Sequence, residues 1–103
     1  MILAVGGTEL SNSRRIVDLF GFEASRVQFQ ASATISVRVE YSLDGGATWN
    51  TLIAEGTEYG GNPYVSEWQT MPPEALDNDV LIRALAIGFG LLTSVDYVEF
   101  QFR

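Results

Sequence analysis

The stretch Ser42-Leu43-Asp44-Gly45-Gly46-Ala47-Thr48-Trp49 has the most clearly specified local structure of any part of this 103-residue chain. Ahead of it, Ile35, Val37, Val39 and Tyr41 alternate with polar residues, which is the period of a half-buried β-strand. The Asp-Gly-Gly run then supplies the positive φ angles that a tight turn needs, since glycine has no Cβ to clash there. The sequence therefore predicts a β-hairpin whose return strand begins at Trp49.

The spelling Ser-x-Asp-x-Gly-x-Thr-Trp resembles the Asp-box of sialidases and related β-propellers. In those families the motif is a structural turn remote from the active site, so the resemblance implies a structural role for Ser42, Asp44, Gly46, Thr48 and Trp49. A propeller needs at least four blades of roughly 40–50 residues each, which this chain cannot supply. The six arginines are also scattered along the sequence, without the cluster that sialidase chemistry requires.

Further alternating segments predict the rest of the fold. Val27, Phe29 and Ala31 alternate with polar residues, as in a half-buried strand, and the segment 64–71 reads as one strand with Tyr64 and Trp68 on the same face. The segment 16–22 is predicted as a first strand, with a short helical turn as the alternative. Residues 80–87 form a nearly continuous apolar run, typical of a central strand, and residues 94–102 form the closing strand.

About seven to eight short strands without an amphipathic helix predict an all-β chain, a single antiparallel β-sandwich with Greek-key or jelly-roll-like connections. Residues 1–13 are predicted to form an N-terminal arm and residues 14–103 the sandwich domain. Residues 73–76 are compatible with one helical turn. A hairpin tip is predicted at 88–92, between the central and closing strands.

Composition argues against several classes of function. The net charge of −7 disfavours binding to nucleic acid, and the sequence has no apolar run long enough to span a membrane. Histidine and cysteine are both absent, which excludes thiol nucleophiles and Ser-His-Asp catalysis. We therefore predict no catalytic residues, no metal site and no cofactor. Asp77-Asn78-Asp79 is interpreted as a turn rather than a calcium loop, because three adjacent residues cannot complete a calcium shell.

The candidate partner-binding residues are apolar side chains at positions where a small domain usually carries polar ones. They are Phe89, Leu91 and Leu92 in the glycine-flanked tip, and Ile2 and Leu3 in the arm. An exposed apolar tip is either folded beneath a sheet or is an anchor for a partner, and the glycines favour the anchor.

Aromatic residues suggest a second kind of surface. Tyr59, Tyr64 and Trp68 could form a platform that stacks sugars, as in a lectin. The alternative, which we favour, is that Tyr64 and Trp68 lie together in the core.

The whole-chain pattern resembles small β-sandwich proteins of tailed-phage virions, especially capsid decoration (cement) proteins. The residues that carry it are the turn segment 41–52, the run 80–84 and the segment 93–98, within a strand pattern that covers residues 26–103. The resemblance implies a non-enzymatic protein that assembles in the host cytoplasm and binds a lattice of major capsid protein on the outside of the virion, often as a homotrimer. A carbohydrate-binding adhesion module and a minor tail subunit are the alternatives.

Overall fold

The computed structural model describes residues 8–10, 12–31, 35–56, 63–87 and 95–103. Two antiparallel sheets pack together, so the predicted all-β sandwich is confirmed. The strands are β1 (Thr8–Glu9), β2 (Arg15–Val17), β3 (Ala24–Ala31), β4 (Ser36–Ser42), β5 (Asn50–Ile53), β6 (Tyr64–Val65), β7 (Gln69–Thr70), β8 (Val80–Ile87) and β9 (Val95–Phe102).

Each sheet is built around one long strand with interrupted neighbours. In sheet 1, β8 pairs with β4 on one side and with β1 and β2 on the other, and β5 extends the sheet beyond β4. In sheet 2, β3 pairs with β9 on one side and with β6 and β7 on the other. Neighbouring strands are mostly not consecutive in the chain, as in Greek-key arrangements.

The core lies between the sheets and follows the predicted alternation. In β3, Val27, Phe29 and Ala31 are buried while the residues between them are only half-buried. Ile35, just before β4, and Val37, Val39 and Tyr41 within it contribute the predicted inward face. The opposite face is also largely covered, with Glu40 only 9 % exposed. The cause of that second burial is a layer of side chains over sheet 1, described below.

Two short strands lie end to end beside each long strand: β1 and β2 beside β8, and β6 and β7 beside β3. At the break within each pair, a serine hydroxyl forms the hydrogen bonds that a backbone group would otherwise form. Between β1 and β2, the Ser13 hydroxyl accepts from Ala84 N at 3.2 Å and donates to Ala84 O at 3.4 Å. Between β6 and β7, Ser66 Oγ accepts from Val27 N at 2.9 Å, and the register against β3 slips by one residue. The single strand predicted over 64–71 is therefore wrong, because the hydroxyl takes the place of a backbone group.

The slip also corrects the predicted orientation of two aromatic residues. Tyr64 pairs with Phe29 on the inner face, at 5.2 Å between ring centroids. Trp68 follows the interruption and lies instead over Arg26, on the outer face of sheet 2. A one-residue slip reverses the faces of a strand, so Tyr64 and Trp68 do not share one.

The connection between the last two strands differs from the prediction as well. β8 belongs to sheet 1, whereas β9 pairs with β3 in sheet 2. They are not hairpin partners, and the segment 88–92, predicted as a hairpin tip, lies outside the described residues.

Three shorter segments complete the comparison. Within the predicted arm 1–13, Thr8–Glu9 already pairs with β8, and Leu10 packs against the core. The predicted strand over 16–22 ends at Val17, and a turn follows it. Pro73–Ala75 forms one 3₁₀ turn, in agreement with the predicted helical turn.

Candidate interaction surfaces

The turn between β4 and β5 is held by the side chains predicted for it. Ser42 Oγ donates to Asp44 Oδ1 at 2.6 Å and accepts from Gly46 N at 2.9 Å. Asp44 accepts from Thr48 N at 2.9 Å and from Thr48 Oγ1 at 2.5 Å. The hydrogen bond from Ser42, followed by those from Thr48, holds the pKa of the Asp44 carboxyl well below its usual value. The hairpin prediction is confirmed, and these polar groups are used by the turn itself.

A network of ion pairs covers the outer face of sheet 1. Arg83 pairs with Glu9 and Glu40 at 2.9 and 2.8 Å. Arg38 pairs with Glu40 at 3.3 Å and with Glu55 at 3.2 Å. The register places Glu40 directly beside Arg83, which is how residues 43 positions apart come to meet.

Trp49 lies within this network. The Arg83 guanidinium carbon is 3.9 Å from the centroid of the indole, and that of Arg14 is 5.2 Å away. Arg14 also pairs with Glu9 at 2.9 Å, and this hydrogen bond is the main cause that lowers the pKa of Glu9. Three arginines therefore converge here, contrary to the scattering in the sequence. Each of them pairs with a glutamate, so the cluster is a stabilising layer rather than a binding site for anions.

The outer face of sheet 2 carries a second tryptophan between arginines. The guanidinium carbons of Arg26 and Arg103 lie 4.4 and 4.3 Å from the centroid of the Trp68 ring. Arg26 Nε also donates to Gln101 Oε1 at 2.6 Å. With Tyr64 packed on Phe29, the described members of the sugar platform are not brought together. Tyr59 lies outside the described residues.

The acidic segment Asp77-Asn78-Asp79 forms a turn. Asp77 Oδ1 accepts from Asn78 N at 2.7 Å, and Asp79 takes a left-handed φ of 52°. With its amide nitrogen turned toward Asp18, Asn78 donates to Asp18 Oδ1 at 2.9 Å. Among the described residues, no group of three or more acidic side chains is arranged to hold a metal ion.

One end of the sandwich presents large apolar side chains to solvent. We call it the hairpin end; it carries the turn 43–49, the loop 18–23 and the loop 76–79, which the pairing of β2, β4 and β8 brings together. Ile16 is 71 % exposed, Phe20 72 % and Leu43 50 %. We refer to these three residues as the exposed apolar set.

Phe20 is fixed in this position by its neighbours. Leu19 is fully buried, and its N–H donates to Asp77 O at 2.9 Å. Asp18 Oδ1 accepts from Phe20 N at 2.9 Å, and Gly21 turns the chain with a φ of 92°. The buried leucine and the Asx turn hold the loop from below, so the backbone that carries Phe20 is already ordered and binding has to order only the side chain. Sequence reasoning missed Phe20 because the apolar segment 16–22 that contains it was predicted to be a first strand, with a short helical turn as the alternative.

The predicted partner-binding residues Ile2, Leu3, Phe89, Leu91 and Leu92 lie outside the described residues. Within the part of the chain that the structure describes, no helix is both long and apolar enough to cross a membrane. Comparison with protein-family models, with curated proteins and with solved structures found no match to this chain.

Proposed function

We propose that this chain is a non-enzymatic structural protein of a virion, which binds the outside of a capsid and stabilises its lattice of major capsid protein. The resemblance of the strand pattern to capsid decoration proteins motivates the proposal. A minor tail subunit would use the same kind of contact on a different lattice. Decoration requires a folded body and an adhesive surface, and it needs no catalytic chemistry.

The observation that carries the proposal is the exposed apolar set. A large aromatic side chain that is 72 % exposed on an anchored turn contributes nothing to the core of its own domain. Apolar anchors of this kind supply most of the binding energy when they enter a pocket of a partner. Phe20 and Ile16 are therefore the residues that we assign to lattice contact.

The remaining surface fits a docked subunit. The arginines over sheet 1 are neutralised by glutamates, and the chain as a whole keeps a charge of −7. Net acidic charge opposes non-specific adhesion, so a specific apolar contact can determine where the protein binds. Repetition over a lattice then turns a modest affinity at each site into high occupancy.

The test is co-sedimentation with capsids of the virus that encodes the chain, prepared without it. Wild-type protein should bind to saturation, and Phe20→Asp should bind at least about tenfold more weakly, because a carboxylate cannot be desolvated in an apolar pocket. Val65→Asp is the matched control: Val65 is 42 % exposed and lies on sheet 2, away from the hairpin end.

Equal binding by wild type and Phe20→Asp would remove Phe20 from the contact. In that case Phe89→Asp tests the segment that the sequence singled out. If neither substitution weakens binding, or if the wild type does not bind capsids, the proposal is wrong.

A further inference from the structure

The two long sides of the sandwich are closed differently. Along β5 and β7 the Gln69 side chain bridges the gap, since its Oε1 accepts from Ala54 N at 2.9 Å and its Nε2 donates to Ala54 O at 3.3 Å. Along β2 and β9 a cleft of about 700 Å³ remains. Leu10, Val98 and Phe100 contribute its apolar lining.

Among the described residues β9 is an edge strand along this cleft, because β3 is the one strand with which it pairs there. Arg103 and Ala24 exchange both backbone hydrogen bonds, at 2.9 and 3.0 Å. Antiparallel ladders alternate between bonded and non-bonded pairs, so at every second residue the backbone groups point away from the partner strand. By that alternation, the N–H and C=O groups of Val98, Phe100 and Phe102 are directed toward the open side.

The same three residues form an unfinished part of the core. On β3, the inward-facing Val27 and Phe29 are each 1 % exposed. On β9, Val98, Phe100 and Phe102 pack against the core but remain only half-buried. An unpaired edge beside half-buried apolar residues is a template for an added strand.

We propose that β9 pairs with β9 of a second copy of this chain, antiparallel and about a two-fold axis at Phe100. This register joins the free backbone groups, with Phe100 opposite its own copy and Val98 opposite Phe102 of the second copy. It joins sheet 2 of both subunits into one continuous sheet. It also covers the half-buried apolar residues from each side.

Hydrogen-bond complementarity favours this register. On the outer face of β9, Glu99 comes to lie opposite Gln101 of the second copy, whose side-chain amide can donate to the carboxylate. This pair occurs twice by symmetry. A shift that centred the axis on Glu99 would instead place two carboxylates against each other. An acidic chain can therefore pair with itself along this strand without repulsion between the paired side chains.

The test is analytical ultracentrifugation over a range of concentrations, with Gln101→Glu as the principal variant. In the single subunit, a carboxylate at position 101 still faces Arg26, whose Nε donates to Gln101 at 2.6 Å, so the fold is retained. In the dimer, the carboxylate at position 101 of each copy lies opposite Glu99 of the other copy, so two like-charged pairs form. We expect wild type to dimerise and Gln101→Glu to raise the dissociation constant by about tenfold.

Two further variants make the result specific. Adding Glu99→Lys to Gln101→Glu restores an attractive pair and should return the dissociation constant to that of wild type or below. Gln30→Glu makes the same change of charge on β3, the strand next to the edge strand, and should leave the dissociation constant of the dimer unchanged. Amide hydrogen exchange at Val98 and Phe100 should slow as the dimer forms.

Three results would overturn the pairing. The first is a wild-type chain that stays monomeric at hundreds of micromolar, which would leave the edge open for a strand of another protein. The second is a dimer or trimer that is insensitive to Gln101→Glu. The third is exchange at Val98 and Phe100 that does not change with concentration. Because none of these measurements involves capsids, the pairing and the proposed decoration can fail independently.

Discussion

Asp44 accepts hydrogen bonds from Ser42 and Thr48, and its ionised form is therefore favoured in the folded chain. Its pKa is lowered on folding, so its stabilising contribution is complete above the ordinary aspartate pKa of about 3.9 and is lost as the pH falls from there. Asp44→Asn should lower the melting temperature at neutral pH. The difference from wild type should shrink as the pH is lowered from about 5 toward 2.

Melting curves from pH 7 downward measure this difference directly. Asp79→Asn is the control, because it removes a carboxylate from another exposed turn and leaves Asp44 in place. A deficit in Asp44→Asn that stays constant across the pH range would show that the ionised carboxylate is not what stabilises the turn.

Two buried serines on sheet 2 are expected to respond oppositely to the same substitution. Ser66 Oγ satisfies Val27 N in the interior, so Ser66→Ala should cost about 1–3 kcal/mol of unfolding free energy. Ser25 is fully buried, and among the described residues its hydroxyl has no hydrogen-bond partner. Ser25→Ala should be neutral or stabilise the fold by up to about 1 kcal/mol. Urea denaturation of both variants measures the two free energies of unfolding. A loss of stability in Ser25→Ala similar to that in Ser66→Ala would contradict the predicted difference.

At the scale of elements, the β4–β5 hairpin depends on two glycines with different surroundings. Gly46 has a φ of 100°, and a Cβ there would lie 3.4 Å from Cζ2 of Trp49 and 3.5 Å from Cδ2 of Leu81. Gly45 has a φ of 73° and no heavy atom within 4 Å of such a Cβ. These distances are ordinary van der Waals contacts, so the difference between the two positions lies in the backbone. A φ of 100° lies farther than 73° from the left-handed region near +57° that an alanine can adopt. Gly46→Ala should therefore cost about 1–3 kcal/mol, and Gly45→Ala about 1 kcal/mol.

Thermal and chemical denaturation of the two alanine variants would give this order. Equal losses would mean that the larger φ of Gly46 adds no backbone strain. A larger loss in Gly45→Ala would contradict the described turn.

Uninterrupted alternation is what made individual strands predictable. β3, β4 and β9 follow from it, because burial on one face imposes a period of two on the sequence, whereas β8 follows from its nearly continuous apolar run. The interruptions were not expected, since Ser13 and Ser66 act through single hydroxyl groups that fit into the ladder only once β8 and β3 lie beside them. Local patterns do not record such long-range replacements.

At the scale of the molecule, the sandwich itself followed from the number and spacing of the strands. The pairing of strands did not, because β8 and β9 are close in sequence yet belong to different sheets. The candidate surfaces depend on that pairing. Arg14, Arg38 and Arg83 meet over sheet 1 only through the β4–β8 register, and the cleft beside β9 exists only because β9 ends sheet 2.

The stability of the capsid is the property that decoration is proposed to change. A subunit that binds the assembled lattice stabilises it by RT ln(1 + [L]/Kd) at each site, which is about 2.7 kcal/mol at a concentration of 100 Kd. The most direct test is the melting temperature of capsids titrated with the purified chain. We predict a rise that saturates at a fixed ratio of chain to major capsid protein and that is lost with Phe20→Asp. A melting temperature that does not change at any ratio would contradict the account.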